Sequence, residues 1–172
     1  LRRIANALAV VFLMPLGAMA EQQTAWRGEV ADSSETGERL FVTGRVLDKA
    51  TGKPVSGAEV YVYQADAKGI YGESPRTPRL KATMYTRSDG TYEFTSIRPG
   101  SYPNEKILAH AHYVVYADGY KEWQGELVFE DDPYLTPARR AEVVADPSMI
   151  LSPITRNAKG VWQARADVRL AK

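Results

Sequence analysis

The chain has 172 residues, of which 44% are hydrophobic and 25% are charged, values that are ordinary for one globular domain. Its formal net charge of +1 gives no electrostatic reason to expect nucleic acid or an anionic membrane as a partner. The chain has no cysteine, which excludes disulfides and thiolate chemistry, so its stability must come from a hydrophobic core or a metal.

The first twenty residues predict a secretory signal peptide. Arg2 and Arg3 precede an apolar run at residues 4–16, and Ala-Met-Ala at 18–20 provides a small-x-small cleavage site. A membrane anchor is the alternative, but the run is shorter than the ~20 residues that a spanning helix needs. We therefore expect an exported protein, periplasmic or extracellular, without membrane contact after cleavage. The expected segments are a signal peptide (1–20), an N-terminal arm (21–38) and one folded domain (39–172).

Residues 39–172 contain many short alternations of apolar and polar residues, which predict β-strands separated by turns. The predicted strands cover residues 39–48, 59–64, 81–86, 91–95, 110–116, 126–129, 149–151 and 160–170. A tight turn at 87–90 ends in Asp-Gly, a hairpin signal that predicts pairing of the third and fourth strands. A helix is predicted at 137–145, with Thr136 as N-cap and Pro137 at the first position. This pattern predicts an all-β fold, an immunoglobulin-like or prealbumin-like sandwich with long active-site loops and at most one short helix.

Two tyrosines lie in irregular stretches of the chain. Residues 65–80 contain prolines and glycines that exclude a regular element, and loops of this length are often functional. Tyr71 lies in the middle of that stretch. Tyr102 lies in a turn between Ser101 and Pro103, shortly before both histidines of the chain.

His110 and His112 open a predicted strand. Side chains at positions i and i+2 of a strand point to one face, so the two imidazoles lie close enough to share a metal ion. An imidazole pair suits zinc, copper, nickel or iron. A tyrosine phenolate as a further ligand would favour ferric iron, because the phenol ionises near pH 7 only when a strong Lewis acid lowers its pKa from about 10. Neither a Ser/His/Asp hydrolase site nor a phosphate-binding glycine loop is indicated.

Several stretches together resemble the intradiol ring-cleavage dioxygenases. They are Gly-Arg-Val-Leu-Asp at 44–48, Gly-Ala-Glu-Val-Tyr at 57–61 with its continuation to Tyr71, the run from Thr86 through Ser-Tyr-Pro at 101–103, and His-Ala-His at 110–112. The stretches follow the order of the family and extend over residues 40–133.

This resemblance implies a non-haem Fe(III) site with Tyr71 and Tyr102 as tyrosinates and His110 and His112 as the other ligands. It implies that a small catechol-type aromatic displaces Tyr102, which takes up a substrate proton. The metal then acts as Lewis acid and template, and O2 opens the ring between its two hydroxyl-bearing carbons to give a muconate-type diacid. The expected activity is thus that of an oxidoreductase in aromatic catabolism; the particular aromatic and the oligomeric state are not indicated.

The chain also departs from the family pattern. Ile-Leu-Ala at 107–109 replaces Arg-Pro-Ala, Glu126 replaces a glutamine, and the loop between Tyr102 and His110 is shorter. Glu126 would repel an anionic substrate unless it is protonated or turned away. Glu126 and Arg98 are the candidates for substrate contact. Arg-Arg at 139–140 is interpreted as a solvated helix face.

Two alternatives to the dioxygenase are proteins without catalytic activity. Residues 44–57 and 86–102 also resemble transthyretin-like and carboxypeptidase-regulatory-like modules, which bind or scaffold without iron. A protein that binds iron or catechol without turnover is the other alternative. Tyr71, the Tyr-Pro turn and His-x-His distinguish the dioxygenase from the iron-free modules, since those modules do not need them.

Overall fold

The computed structural model describes residues 25–72 and 77–172, so the predicted signal peptide lies outside the described residues. The strands are β1 (Arg27–Glu29), β2 (Arg39–Asp48), β3 (Glu59–Gln64), β4 (Leu80–Tyr85), β5 (Thr91–Ile97), β6 (His110–Tyr116), β7 (Trp123–Phe129), β8 (Met149–Ser152), β9 (Thr155–Arg156), β10 (Trp162–Arg165) and β11 (Val168–Leu170). The helix α1 covers Pro137–Ala145.

The strands form two sheets packed face to face, which confirms the predicted β-sandwich. The first sheet has the order β1-β5-β2-β10-β9, with β11 also paired to β2. The second has the order β4-β3-β6-β7-β8. The bounds of β2, β3 and α1 agree with the sequence prediction, and Thr136 caps α1 by accepting a hydrogen bond from the backbone N–H of Arg139.

The predicted pairing of β4 with β5 is wrong, although the turn between them forms as expected. Gly90 donates its N–H to the carbonyl of Arg87 at 2.9 Å. However, β4 pairs with β3 in the second sheet, whereas β5 lies between β1 and β2 in the first. Both edges of β5 are therefore occupied, and the turn carries the chain from one sheet to the other. Strand β1 lies in the N-terminal arm (21–38), where no strand was predicted.

The core lies between the inner faces of the two sheets. Alternation in β3 buries Val60 and Val62 and leaves the intervening tyrosines on the outer face. Alternation in β6 buries Ala111, Tyr113 and Val115 to 1% exposure or less. The two histidines of β6 therefore belong to the outer face of the second sheet.

Helix α1 covers part of this outer face. Its buried residue Val143 packs with Leu108 and Val128 in a small apolar cluster separate from the main core. Val128 lies directly across from His110 in the β6–β7 pair, so the helix packs beside the histidines. Within residues 25–72 and 77–172, no helix combines the length and apolar character needed to cross a bilayer.

Candidate metal centre

Four side chains from three separate stretches converge on the outer face of the second sheet. The hydroxyl oxygens of Tyr71 and Tyr102 are 2.7 Å apart. The Tyr102 oxygen is 3.0 Å from Nε2 of His110, which is 3.2 Å from Nε2 of His112. The structure thus brings together all four side chains that the sequence analysis assigned to a metal.

These spacings fit a shared metal ion. Imidazole nitrogens bind metals at about 2.0–2.1 Å, so two donor atoms at right angles around one ion lie about 3 Å apart. The three successive donor–donor distances of 2.7, 3.0 and 3.2 Å lie close to that value. Two imidazoles and two phenols form a donor set of nitrogen and hard oxygen, which suits iron.

Backbone and side-chain contacts fix the orientation of both imidazoles. Nδ1 of His110 is 2.8 Å from the carbonyl oxygen of Leu108, which can only accept, so Nδ1 carries a hydrogen and Nε2 is the nitrogen that faces the other donors. Nδ1 of His112 lies 3.5 Å from Oε1 of Glu126, directly across from it on β7. Tyr63 stacks on the His112 ring with 4.6 Å between ring centroids. Such outer contacts orient metal-binding histidines.

The loop that carries Tyr71 is folded by its own polar groups. Oδ1 of Asp66 accepts hydrogen bonds from the backbone N–H groups of Lys68 and Ile70, at 2.8 and 2.9 Å. Gly69 adopts φ 79° and packs against the neighbouring loop so closely that a Cβ would lie 2.0 Å from the carbonyl oxygen of Ser101. Glycine therefore allows the two tyrosine-bearing loops to meet.

The Tyr102 loop is closed at its base. The hydroxyl of Ser101 donates to the carbonyl oxygen of Ile107 at 2.8 Å. The buried carboxylate of Asp132 accepts the N–H of Ala109 at 2.8 Å, which fixes the start of β6. The loop thus presents Tyr102 beside His110 without any strand pairing of its own.

Burial shifts the ionisation of these groups. Burial, followed by the hydrogen bond to Tyr102, raises the pKa of Tyr71 well above its ordinary value. Burial also raises the pKa of Tyr102. For His112, burial and the neighbouring His110 lower the pKa to about 4. In the metal-free protein at neutral pH, the two phenols are protonated and His112 is neutral, the form that binds metals.

An open cavity of about 390 Å³ lies beside Tyr102 and the two histidines. Glu126 lines it, and the Glu126 carboxylate can join the histidines as a metal ligand, since the three donor atoms lie within 4.8 Å of one another. From the sequence, Glu126 was predicted only as a substrate contact. Its position opposite His112 follows from the β6–β7 register, which could have indicated a role beside the metal. Arg139 also lines the cavity and is half-buried, whereas Arg140 is exposed.

Arg98 lies away from the four donors, and Ile107 lines the cavity with an uncharged side chain. Arg98, the second candidate for substrate contact, donates to both carboxylate oxygens of Asp131 at 2.8 Å, and its guanidinium lies over the Trp162 ring. It is therefore not brought to the four donors. Ile107 lines the same cavity as Arg139. It stands at the position where the family that the sequence resembles has an arginine.

Comparison with known sequences finds a matching family model and several similar proteins. A family model described as Dioxygenase matches residues 14–170. Hydroxyquinol 1,2-dioxygenase of Rhizobium sp. (strain MTP-10005) is 33% identical, over 58% of this chain and 40% of that protein. The protocatechuate 3,4-dioxygenase beta chain of Burkholderia cepacia is also 33% identical, over 63% of this chain and 52% of that protein. The chain thus spans about half, or less, of the length of these curated relatives.

Comparison with solved structures supports the fold. The dioxygenase domain of a dioxygenase–carbohydrate-binding protein fusion from Streptomyces sp. SirexAA-E superposes with a TM-score of 0.67 at 23% identity. The superposition covers 98% of this chain and 96% of that domain. The sandwich described above is therefore the architecture of a solved dioxygenase domain.

Proposed function

The chain belongs to the intradiol ring-cleavage dioxygenase family, and on that premise we propose that it binds ferric iron and cleaves a catechol-type ring with O2. The ligands in this proposal are Tyr71, Tyr102, His110 and His112. The substrate is a small aromatic with two adjacent hydroxyl groups.

One observation carries the proposal, namely that the four donor atoms lie in a chain of short contacts of 2.7, 3.0 and 3.2 Å. The donors come from two loops and one strand, so local sequence proximity does not explain their meeting. An iron-free scaffold or binding module has no need of this convergence, which favours the dioxygenase over the transthyretin-like alternative.

The proposed chemistry divides between the ion and the protein. When bound, ferric iron would supply Lewis-acid activation of the catecholate toward O2, so that the ring opens to a muconate-type diacid. The chain holds the donors in place: the Leu108 carbonyl fixes His110, while Glu126 and Tyr63 fix His112. The raised pKa values of both phenols mean that loading with iron releases protons from them.

The two tyrosines have different surroundings, which supports different roles. Tyr71 is only 8% exposed and packs against the Tyr102 loop, so we assign it as a fixed oxygen donor. Tyr102 is half-buried, lines the cavity and lies on a loop without strand pairing. We assign Tyr102 as the ligand that yields its place to the substrate and accepts a hydroxyl proton at its phenolic oxygen.

The test is to load the purified protein with Fe(III) and record its visible spectrum and iron content. We expect about one iron per chain and a broad tyrosinate-to-iron absorption band. Oxygen uptake is then measured with catechol, protocatechuate and hydroxyquinol. We expect uptake with at least one of them, together with formation of a ring-opened diacid.

A matched pair of tyrosine variants controls this test. Tyr102→Phe removes a proposed donor and should change the band, whereas Tyr116→Phe removes a hydroxyl that contacts only Asp118 among the described residues and should not. A protein that stays colourless after ferric loading would overturn the proposal and favour an iron-free module. Colour and a catechol-induced spectral shift without oxygen uptake would identify a binding protein without turnover.

We also propose that the protein is exported, on the basis of the charged, apolar and small-residue pattern of residues 1–20. Expression of the chain in a bacterial host should yield a mature protein that begins at Glu21 outside the cytoplasm. Sequencing of the N-terminus after cell fractionation measures this. An uncleaved protein confined to the cytoplasm would contradict export.

A further inference from the structure

The cavity beside the four donors has an uneven distribution of charge. Ile107 and Val143 give it an apolar wall, and the carboxylates of Glu126 and Glu142 give it negative charge. Among its lining residues, the permanent positive charge is that of Arg139. A substrate bound at the candidate metal centre would therefore extend into a space with acidic groups and one fixed guanidinium.

Helix α1 directs Arg139 toward the cavity for a simple geometric reason. Residues four apart lie on one face of a helix, so Arg139 lies on the same face as Val143, which is buried against Leu108. The next residue, Arg140, lies off this face and donates to Glu130 at 2.6 Å. The adjacent arginines thus have different surroundings despite identical chemistry.

The guanidinium of Arg139 is held but not neutralised. Its Nη1 donates to the carbonyl oxygen of Lys106 at 2.6 Å, which holds it beside the backbone of the Tyr102 loop. Within the described residues, this acceptor is an uncharged carbonyl and not a carboxylate, so the positive charge stays uncompensated by a direct ion pair. A guanidinium has five N–H donors in a planar fork that matches a carboxylate.

We propose that Arg139 recognises an anionic substituent of the substrate, so that the preferred substrate is a catechol carrying a ring carboxylate. This inference rests on the proposed function. A catechol that presents its two hydroxyl groups to the metal centre points its substituents away from it, into the cavity. Because Glu126 and Glu142 repel an anion there, the carboxylate is accommodated only beside Arg139.

The test is an equilibrium titration under anaerobic conditions, in which the visible band of the iron-loaded protein reports binding. The probes are 3,4-dihydroxybenzoate (protocatechuate), which carries a ring carboxylate, and unsubstituted catechol, which does not. Arg139→Gln removes the charge but keeps an amide that can donate to the Lys106 carbonyl. We expect it to weaken 3,4-dihydroxybenzoate binding about 10- to 100-fold and to change catechol binding by less than about threefold.

Two further variants sharpen the result. Arg139→Lys keeps the charge and should recover part of the affinity for the carboxylated ligand. Arg140→Gln removes an arginine of the same helix outside the cavity and should alter neither affinity. Thermal melting of each variant confirms folding before titration.

Three outcomes distinguish the possible failures. Equal loss of affinity for both ligands in Arg139→Gln would show that Arg139 only holds the Tyr102 loop, and would overturn the inference. Unchanged affinity for both would overturn it as well. A wild-type protein without a visible band after ferric loading would instead overturn the proposed function, before any comparison of ligands.

Discussion

The two faces of strand β6 serve opposite purposes within seven residues. Its inner face contributes Ala111, Tyr113 and Val115 to the core, each exposed by 1% or less. Its outer face presents His110 and His112 to the candidate metal centre. Because side chains alternate along a strand, a slip of one residue in register would exchange the two sets. Packing of the inner face therefore places the imidazoles on the outer one.

The largest expected effect is a loss of iron binding, caused by a substitution on the outer face of β6. His112→Ala should abolish stable iron binding, because it removes one of the four proposed donors, while it leaves the inner face intact. Iron content and the visible band measure the loss. Val114→Ala, on the same face two residues further along, is the matched control and should retain both. A fully coloured His112→Ala protein would contradict the assignment.

The core against which the inner face of β6 packs should show the reverse behaviour. Phe94→Ala removes a ring of the facing strand β5 that is 1% exposed, with its centroid 6.3 Å from that of the Tyr113 ring, so we expect the free energy of unfolding to fall by about 3–5 kcal/mol. Urea denaturation of the metal-free protein measures this. Under native conditions the variant should still bind iron. If it instead lost iron at full stability, the separation of the two faces would fail.

A third effect concerns the contact between the two tyrosine loops. Gly69→Ala places a Cβ 2.0 Å from the Ser101 carbonyl oxygen at a backbone φ of 79°. We expect the free energy of unfolding to fall by about 2–4 kcal/mol. We also expect a weaker tyrosinate-to-iron band, because Tyr71 is displaced. Gly52→Ala is the matched control, with φ 70° and open space around it. It should cost about 1 kcal/mol and leave the band unchanged. Equal behaviour of the two variants would show that the loop contact does not position Tyr71.

The smallest expected effect again lies on the inner face. The hydroxyl of Tyr113 is buried near that of Tyr92 but makes no hydrogen bond of ordinary length and angle among the described residues, so Tyr113→Phe should change the free energy of unfolding by less than about 1 kcal/mol. Tyr92→Phe should cost more, about 1–2 kcal/mol, because its hydroxyl donates to the Ala166 carbonyl at 2.6 Å. Chemical denaturation of both variants measures the difference. A larger loss for Tyr113→Phe would indicate a bound water or another partner at that hydroxyl.

Local patterns predicted the parts of the fold that depend on neighbouring residues. Alternation predicted the bounds of β2 and β3, and the Thr-Pro start predicted those of α1. The local pattern at the Asp-Gly turn predicted the turn correctly but the strand pairing wrongly, because the turn joins two sheets. A turn sequence fixes how the chain reverses, whereas the choice of partner strand depends on which edges distant strands leave open.

The sequence by itself determined that His110 and His112 share one face of a strand and that Tyr71 and Tyr102 lie on loops. Only the tertiary structure decided that the four side chains meet, that Glu126 lies across from His112, and that Arg139 rather than Arg98 lines the cavity. The first set follows from strand geometry, which any local stretch reveals. The second depends on register and packing between segments far apart in the chain, which no local pattern records.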